Sequence, residues 1–382
     1  MNRKNIFIHQ QIIPEYRIPI LNKILDKYEN CYVIYGNSKK NSSLKNGKKP
    51  TNKNYLKTKN IFLFGKQNYY LTCLFQLLFK YKPKIIITQY SPGNIDVFLF
   101  YLLRPFLKFK LIGWYHGWNR KKNYSPNKTF YDKLRHFMLK KADGVILYSE
   151  DAKIILSKYK DPSKIFVANN TLDTETYTKL REQFHKTGRE ILKEKLNFKS
   201  KYNLIFSARL EAEKNPKALL RIYQLLRQKN SDISLHIIGS GSLENELKSI
   251  VKNQNIENVI FYGSIYDDEI TGSIIYCSDL MIIPKWVGLS IIHSFSFECP
   301  IVTFDEKCHP PEIIYLIHGK TGYNFGKYSD MEIAESIIKY LLNETLQAEF
   351  RKNVLEMVAT NASVDKMIGG ISEAINYFST TK

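Results

Sequence analysis

Four stretches of the chain set cations, glycines or hydroxyls directly behind apolar runs, an arrangement suited to a bound anion. The fullest is 284–302. Apolar Leu280–Ile283 reads as a strand, and Pro284, which has no N–H for a ladder, ends it. Gly288 reads as a tight turn. From Leu289 the spacing is helical, with Leu289, Ile292, Phe295 and Ser296 on one face. Cys299-Pro300 stops that helix, and Ile301–Phe304 begins another strand. A strand, turn and helix in this order point free N–H groups, here of Gly288, Leu289 and Ser290, into the crevice at the strand's carboxyl end, where phosphates bind. An ordinary crossover in an α/β sheet has the same pattern.

The other three stretches strengthen the anion reading. Arg209 and Lys214 follow strand 203–207, Arg as a fork and Lys as a point charge for a phosphate, or else both as solvated loop cations. Gly239-Ser240-Gly241 ends strand 234–238, and Gly263-Ser264-Ile265-Tyr266 ends strand 259–262. In the first half, Tyr16 and Arg17 occupy the loop after the first strand, and His116 follows strand 110–114. Arg17 suits a bound phosphate or simply the surface.

These residues need a scaffold of buried strands and amphipathic helices, and the sequence alternates in that way twice. Strands are expected at 5–13, 31–35, 61–64, 85–89, 110–114, 144–148 and 165–168, with helices at 18–25, 70–81, 95–107, 130–142 and 150–159. Residues 37–60, rich in Lys and Asn, read as a long exposed loop. The charged segment 174–201 reads as a helical linker. A second alternation then runs from 203 to 304 and closes with helices at 331–343, 346–358 and 362–378. Repeated strand–helix alternation is the pattern of a parallel, doubly wound sheet.

Composition narrows the function. The net charge is +21, and residues 1–140 hold 27 Lys/Arg against 5 Asp/Glu. The basic excess therefore lies wholly in the first part, which favours an anionic partner there. Nucleic acid is one such partner, but no recognition helix or stacking platform is evident. An anionic membrane is the other. Helices 70–81 and 95–107, aromatic and flanked by Lys and Arg, could rest on it, or their aromatics could be core. No run of about 18 apolar residues predicts a spanning helix. No signal peptide is expected. The five cysteines are scattered without metal spacing, which fits a reducing compartment and no metal site.

With these motifs in view, the chain resembles the family 4 retaining glycosyltransferases of the GT-B fold. The resemblance rests on Arg209-Leu210-x2-Glu213-Lys214-Asn215-Pro216, Gly239-Ser240-Gly241, Phe261-Tyr262-Gly263-Ser264, Pro311-Glu312-Ile313-Ile314 and Gly319-Lys320-Thr321-Gly322. It implies an α/β chain of two Rossmann-like doubly wound domains facing a central cleft, with a C-terminal helix packing back on the N-terminal domain. The boundaries expected are 1–172 for acceptor binding, 173–201 for the linker, 202–361 for the nucleotide-sugar domain and 362–382 for the returning helix. Arg209, Lys214, Gly288, Leu289 and Ser290 would hold the donor diphosphate. Gly239, Gly263, Ile265, Tyr266 and His293 would meet the base and ribose. His116, Lys285 and Trp286 would meet the donor sugar, and Tyr16 and Arg17 the acceptor. His116, Arg209 and Lys214 would carry catalysis, without metal or cofactor.

One departure stands out. The family's two glutamates, eight positions apart, are Lys285 and His293 here, in a Val-Gly-Leu-x3-His-Ser variant resembling enzymes of bacterial surface-polysaccharide pathways. Glu298 stands where glycine is usual. His293 could bond the ribose, or be buried and satisfied by backbone. The expected donor is a UDP-sugar, with GDP possible, and the acceptor a lipid-linked or polysaccharide glycan. The expected place is the cytoplasmic face of the plasma membrane. A binding-only homologue is the alternative.

Overall fold

A computed structural model describes residues 5–38, 46–63, 68–118, 120, 123–304 and 309–380. The chain divides into two units, 1–173 with 364–382, and 174–363. In the first unit the elements are β1 (Ile6–Gln10), α1 (Ile18–Lys27), β2 (Cys31–Tyr35), β3 (Tyr55–Lys57), β4 (Asn60–Leu63), β5 (Asn68–Leu71), α2 (Leu74–Tyr81) and β6 (Ile85–Gln89). They continue with α3 (Asp96–Leu107), β7 (Lys110–Tyr115), α4 (Phe130–Lys141), β8 (Gly144–Leu147), α5 (Glu150–Leu156) and β9 (Ile165–Val167). The second unit opens with α6 (Thr174–Thr187) and α7 (Arg189–Lys195). Then come β10 (Tyr202–Ser207), α8 (Pro216–Lys229), β11 (Ile233–Ile238), α9 (Glu244–Asn253), β12 (Val259–Gly263), α10 (Asp268–Cys277) and β13 (Leu280–Ile282). It closes with α11 (Ser290–Ser296), β14 (Ile301–Thr303), β15 (Gly322–Asn324), α12 (Asp330–Leu341) and α13 (Glu344–Asn361). The last helix, α14 (Val364–Thr380), belongs to the first unit.

Each unit is a parallel sheet, in order β3-β2-β1-β6-β7-β8-β9 and β12-β11-β10-β13-β14-β15. Strand residues alternate between two cores. In the first sheet Ile6, Ile8, Ile85, Ile87 and Ile112 pack with α1 and α14, while Phe7, Ile86, Leu111 and Val145 face α2, α3, α4 and α5. Two expectations fail in the first unit. Residues 37–60 are not all loop, because Tyr55–Lys57 adds a strand beside β2. Tyr70 and Leu71 are not helical, because β5 pairs antiparallel with β4. Both are edge strands of three or four residues, too short to show a period.

Segment 174–201 is helical over Thr174–Thr187 and Arg189–Lys195, and it packs within the second unit and not as a linker. Glu298, buried and left-handed (φ 62), accepts from His185 at 2.6 Å and lies 3.6 Å from Arg189 and 3.8 Å from Arg181. A lone buried carboxylate would be costly, so α6 and α7 are held where its partners reach it.

The returning helix depends on one close approach. A Cβ on Gly370 would lie 1.9 Å from the Val167 carbonyl oxygen, whereas nothing stands within 4 Å of one on Gly369. We therefore expect Gly370→Ala to lower stability by about 1–3 kcal/mol through overpacking. Gly369→Ala should raise it by about 0.5–1 kcal/mol through helix propensity. Urea unfolding of both variants checks this; equal effects would contradict the packing account.

Candidate functional site

All strands of the second sheet run parallel, so the loops after β10, β11, β12 and β13 share one edge. Glycine brings the first three together. A Cβ on Gly239 (φ +135) would lie 2.0 Å from the Ala208 carbonyl oxygen, and one on Gly241 2.5 Å from that of Leu210. With no side chain in the way, Leu210 N–H donates to Ser240 O (3.0 Å) and Gly239 N–H to Gly263 O (2.7 Å). Glu211 accepts from the Ser242 N–H at 3.0 Å and hydroxyl at 2.6 Å, and the Ser240 and Ser264 hydroxyls meet at 2.6 Å. These contacts place the predicted Gly239, Gly263 and Ile265 loops beside the Arg209 loop. Tyr266 projects from there, 93% exposed, with its ring face open.

Lys214 ties in the fourth loop. It is 9% exposed, and its Nζ donates to the Trp286 carbonyl oxygen at 2.5 Å. Burial and the neighbouring Arg209 push its pKa down to about 8, against the pull of Glu213 and Glu312. Trp286 adopts the left-handed region (φ 56), which costs a non-glycine residue about 1–2 kcal/mol. The next N–H, of Val287, donates to His309 Nδ1 at 3.0 Å. The sharp turn expected at Gly288 is therefore made two residues earlier. Gly288 has no left-handed φ, and a Cβ there would make only ordinary contact with Pro310 at 3.7 Å. Lys285 and Trp286 are half-buried beside this turn, and Leu289 caps the seven-residue α11 without a side-chain bond.

His293 lies on α11, its ring 4.9 Å from that of Tyr177 and 5.4 Å from that of Phe297. Burial drives its pKa to about 4, so it is neutral. Its Nε2 and the Ser290 hydroxyl oxygen, one turn earlier, are buried without a hydrogen-bond partner among the described residues. Nε2 is thus not satisfied by backbone. Sequence reasoning omitted Glu312 from the site. It is 3% exposed and close enough for its charge to act on Lys214, and Pro311-Glu312 was the signal available.

The first unit carries a separate cleft of about 630 Å³. Tyr16, Arg17 and His116 all line it, with Gln10, Trp114 and Tyr148 among the other walls. His116 is exposed to the cleft yet crowded by its walls, with its ring 4.8 Å from that of Tyr148. Desolvation, then the charges of Arg120 and Arg17, pull its pKa below the usual imidazole range. Arg120 itself pairs with Asp151 at 2.6 Å. Arg17 is buried and donates to Asn170 Oδ1 at 2.8 Å, so it is not a surface cation.

Residues 188–357 match the profile of glycosyl transferases group 1, and residues 43–176 that of glycosyltransferase family 4. Each profile matches less than half of the chain, the first within the second unit and the other largely within the first. An uncharacterized glycosyltransferase of Methanocaldococcus jannaschii is 25% identical to this chain over 272 residues, covering 67% of it and 64% of the relative. A Staphylococcus aureus poly(ribitol-phosphate) alpha-N-acetylglucosaminyltransferase is 22% identical over 235 residues, covering 60% and 43%. The chain thus spans less than two thirds of either relative. Anabaena HepE, crystallised with UDP, shares the fold at a TM-score of 0.71 and 14% identity, over 98% of this chain and 100% of that one.

Lys214 gives a stability signature. Its folded pKa of about 8 lies below the unfolded value of 10.5, so between these pH values only the unfolded chain holds the proton. Stability therefore rises with pH across this window, and the charged lysine is a net cost below it. Lys214→Met should stabilise the protein by about 2–3 kcal/mol at pH 7, and the gain should vanish near pH 10.5. Chemical unfolding at several pH values checks this; a pH-independent difference would contradict it.

Proposed function

We propose that this chain is a retaining, metal-independent transferase that moves a sugar from a nucleoside diphosphate, UDP by default, to an acceptor in cell-surface glycan synthesis. The observation that carries the reading is the buried Lys214 ammonium at the meeting of four strand-end loops. Burying a cation is costly unless it serves a partner, and a diphosphate leaving group is a fitting one. The relative with a poly(ribitol-phosphate) acceptor and the UDP-bound neighbour support the acceptor class and the nucleotide.

The chemistry follows from charge. As the anomeric C–O bond of the donor breaks, negative charge grows on the diphosphate and positive charge on the anomeric carbon. Lys214 and Arg209 stabilise the diphosphate in place of a metal ion. The acceptor hydroxyl attacks from the same face, forms the new C–O bond and passes its proton to the departing phosphate. Configuration is thereby retained without a protein nucleophile. His116, held neutral, orients the donor sugar, while His293 and Ser290 offer polar atoms to the ribose. Incubation with a UDP- and GDP-sugar panel tests the reading through diphosphate release. Lys214→Ala should lose at least about a hundredfold in rate, as loss of a preorganised charge contact does. Undiminished turnover would overturn the assignment, and binding without any turnover would favour the binding-only homologue.

The proposal extends to an anionic membrane surface that carries the acceptor. No helix among the described residues is long and apolar enough to cross a membrane. Instead α2, α3 and α4, on one side of the first sheet, each expose apolar residues at helical spacing. These are Phe75 and Phe79, Leu102 and Phe106, and Phe130 and Phe137. Exposed Lys80, Lys82, Lys108, Lys133 and Lys140 accompany them. Of the acidic residues on these helices, Asp96 is buried and Asp132 pairs with Arg135. Vesicles of anionic lipid should sediment the protein at low salt, and Phe79→Glu with Phe106→Glu should release most of it. Equal sedimentation of the double variant would contradict this surface.

A further inference from the structure

We propose that the first-unit cleft binds an oxyanion of the acceptor, a phosphate or a carboxylate carried on a polyol, through the buried guanidinium of Arg17. The proposal rests on reading that cleft as the acceptor site and names what the acceptor must carry.

Arg17 is 8% exposed, and its partners among the described residues are neutral. Nη2 donates to Asn170 Oδ1 at 2.8 Å and Nη1 to the Met367 sulfur, a weak acceptor, at 3.3 Å. The rings of Tyr16, Trp114 and Tyr148 stand 5.4, 5.6 and 5.8 Å from its central carbon. The other arginines of this unit with described ion pairs all have a carboxylate. Arg104 pairs with Asp143 at 2.8 Å, Arg120 with Asp151 at 2.6 Å and Arg135 with Asp132 at 3.1 Å. Arg17, more buried than these, has none among the described residues. A guanidinium offers five N–H donors, and a buried charge is costly unless compensated.

Its surroundings point the same way. The indole N–H of Trp114, also lining the cleft, is buried without an acceptor among the described residues. Among the described residues, no Asp or Glu lines the cleft. The site therefore carries surplus donors and no negative charge among the described residues, while Trp114, Tyr115 and Tyr148 supply faces for a sugar or alditol. Arg17 also lies near enough to His116 to oppose its protonation, so the anion would bind beside the proposed sugar-orienting residue.

The test uses the full chain labelled at its three tryptophans, with the Trp114 indole N–H followed by NMR. Glucose 6-phosphate, glucuronate and glucose are titrated separately into wild type and Arg17→Gln. The proposal expects at least one charged sugar to shift the Trp114 signal and bind about tenfold or more tightly than glucose. The stronger of the two identifies phosphate or carboxylate. Arg17→Gln should reduce that sugar to the glucose level. Equal binding of glucose, or an undiminished preference in Arg17→Gln, overturns the proposal. If the variant does not fold, wild type at 50 and 500 mM NaCl decides: the preference must collapse at high salt, and a salt-insensitive preference overturns it. UDP titrated into the same wild-type sample reports separately on the glycosyl-transfer reading. Its failure to bind would sink that reading and leave the sugar titrations interpretable.

Discussion

The arrangement of the second unit's strand-end loops turns on one contact, the Lys214 ammonium donating to the Trp286 carbonyl. That bond draws the loop after β13 against the loop after β10, and Trp286 takes a left-handed backbone conformation as it does so. Both the buried charge and the turn cost stability. The surrounding hydrogen bonds offset these costs, through Val287 to His309 on one side and Glu211 to Ser242 on the other. Sites that store strain and charge in this way serve what they bind rather than the fold.

The first unit repeats the principle with different parts. Arg17 is placed by residues far from it in sequence, Asn170 after β9 and Met367 on α14. The returning helix therefore does more than complete a core. It supplies a neutral contact that keeps the guanidinium in place without cancelling its charge. Gly370 permits this by letting α14 approach Val167.

Much of this was legible in the sequence, for physical reasons. Buried parallel strands are short apolar runs, and the helices between them keep an amphipathic period, so β2, β6 and α3 fall where spacing put them. The glycine loops after β11 and β12 were also visible, since close backbone approach requires glycine at 239 and 241 and the left-handed backbone favours it at 263. Side-chain fate was less legible. A glycine at 288 suggested the turn, yet the Lys214 contact assigns it to Trp286, and no local rule expects a tryptophan there. Glu298 looked like a misplaced glycine until Arg181, His185 and Arg189 appeared around it. The burial of Arg17 arises from a contact 350 residues away and lies beyond any window of sequence.

The central claim is that Lys214 must be charged when a diphosphate binds. At the pH where it is half neutral, binding must then draw a proton from solution. Calorimetric titration of UDP in buffers of different ionisation enthalpy measures that uptake. With a pKa of about 8, roughly three quarters of a proton should be taken up at pH 8.5 and about a tenth at pH 7. Uptake that is absent, or the same at both pH values, would contradict the account.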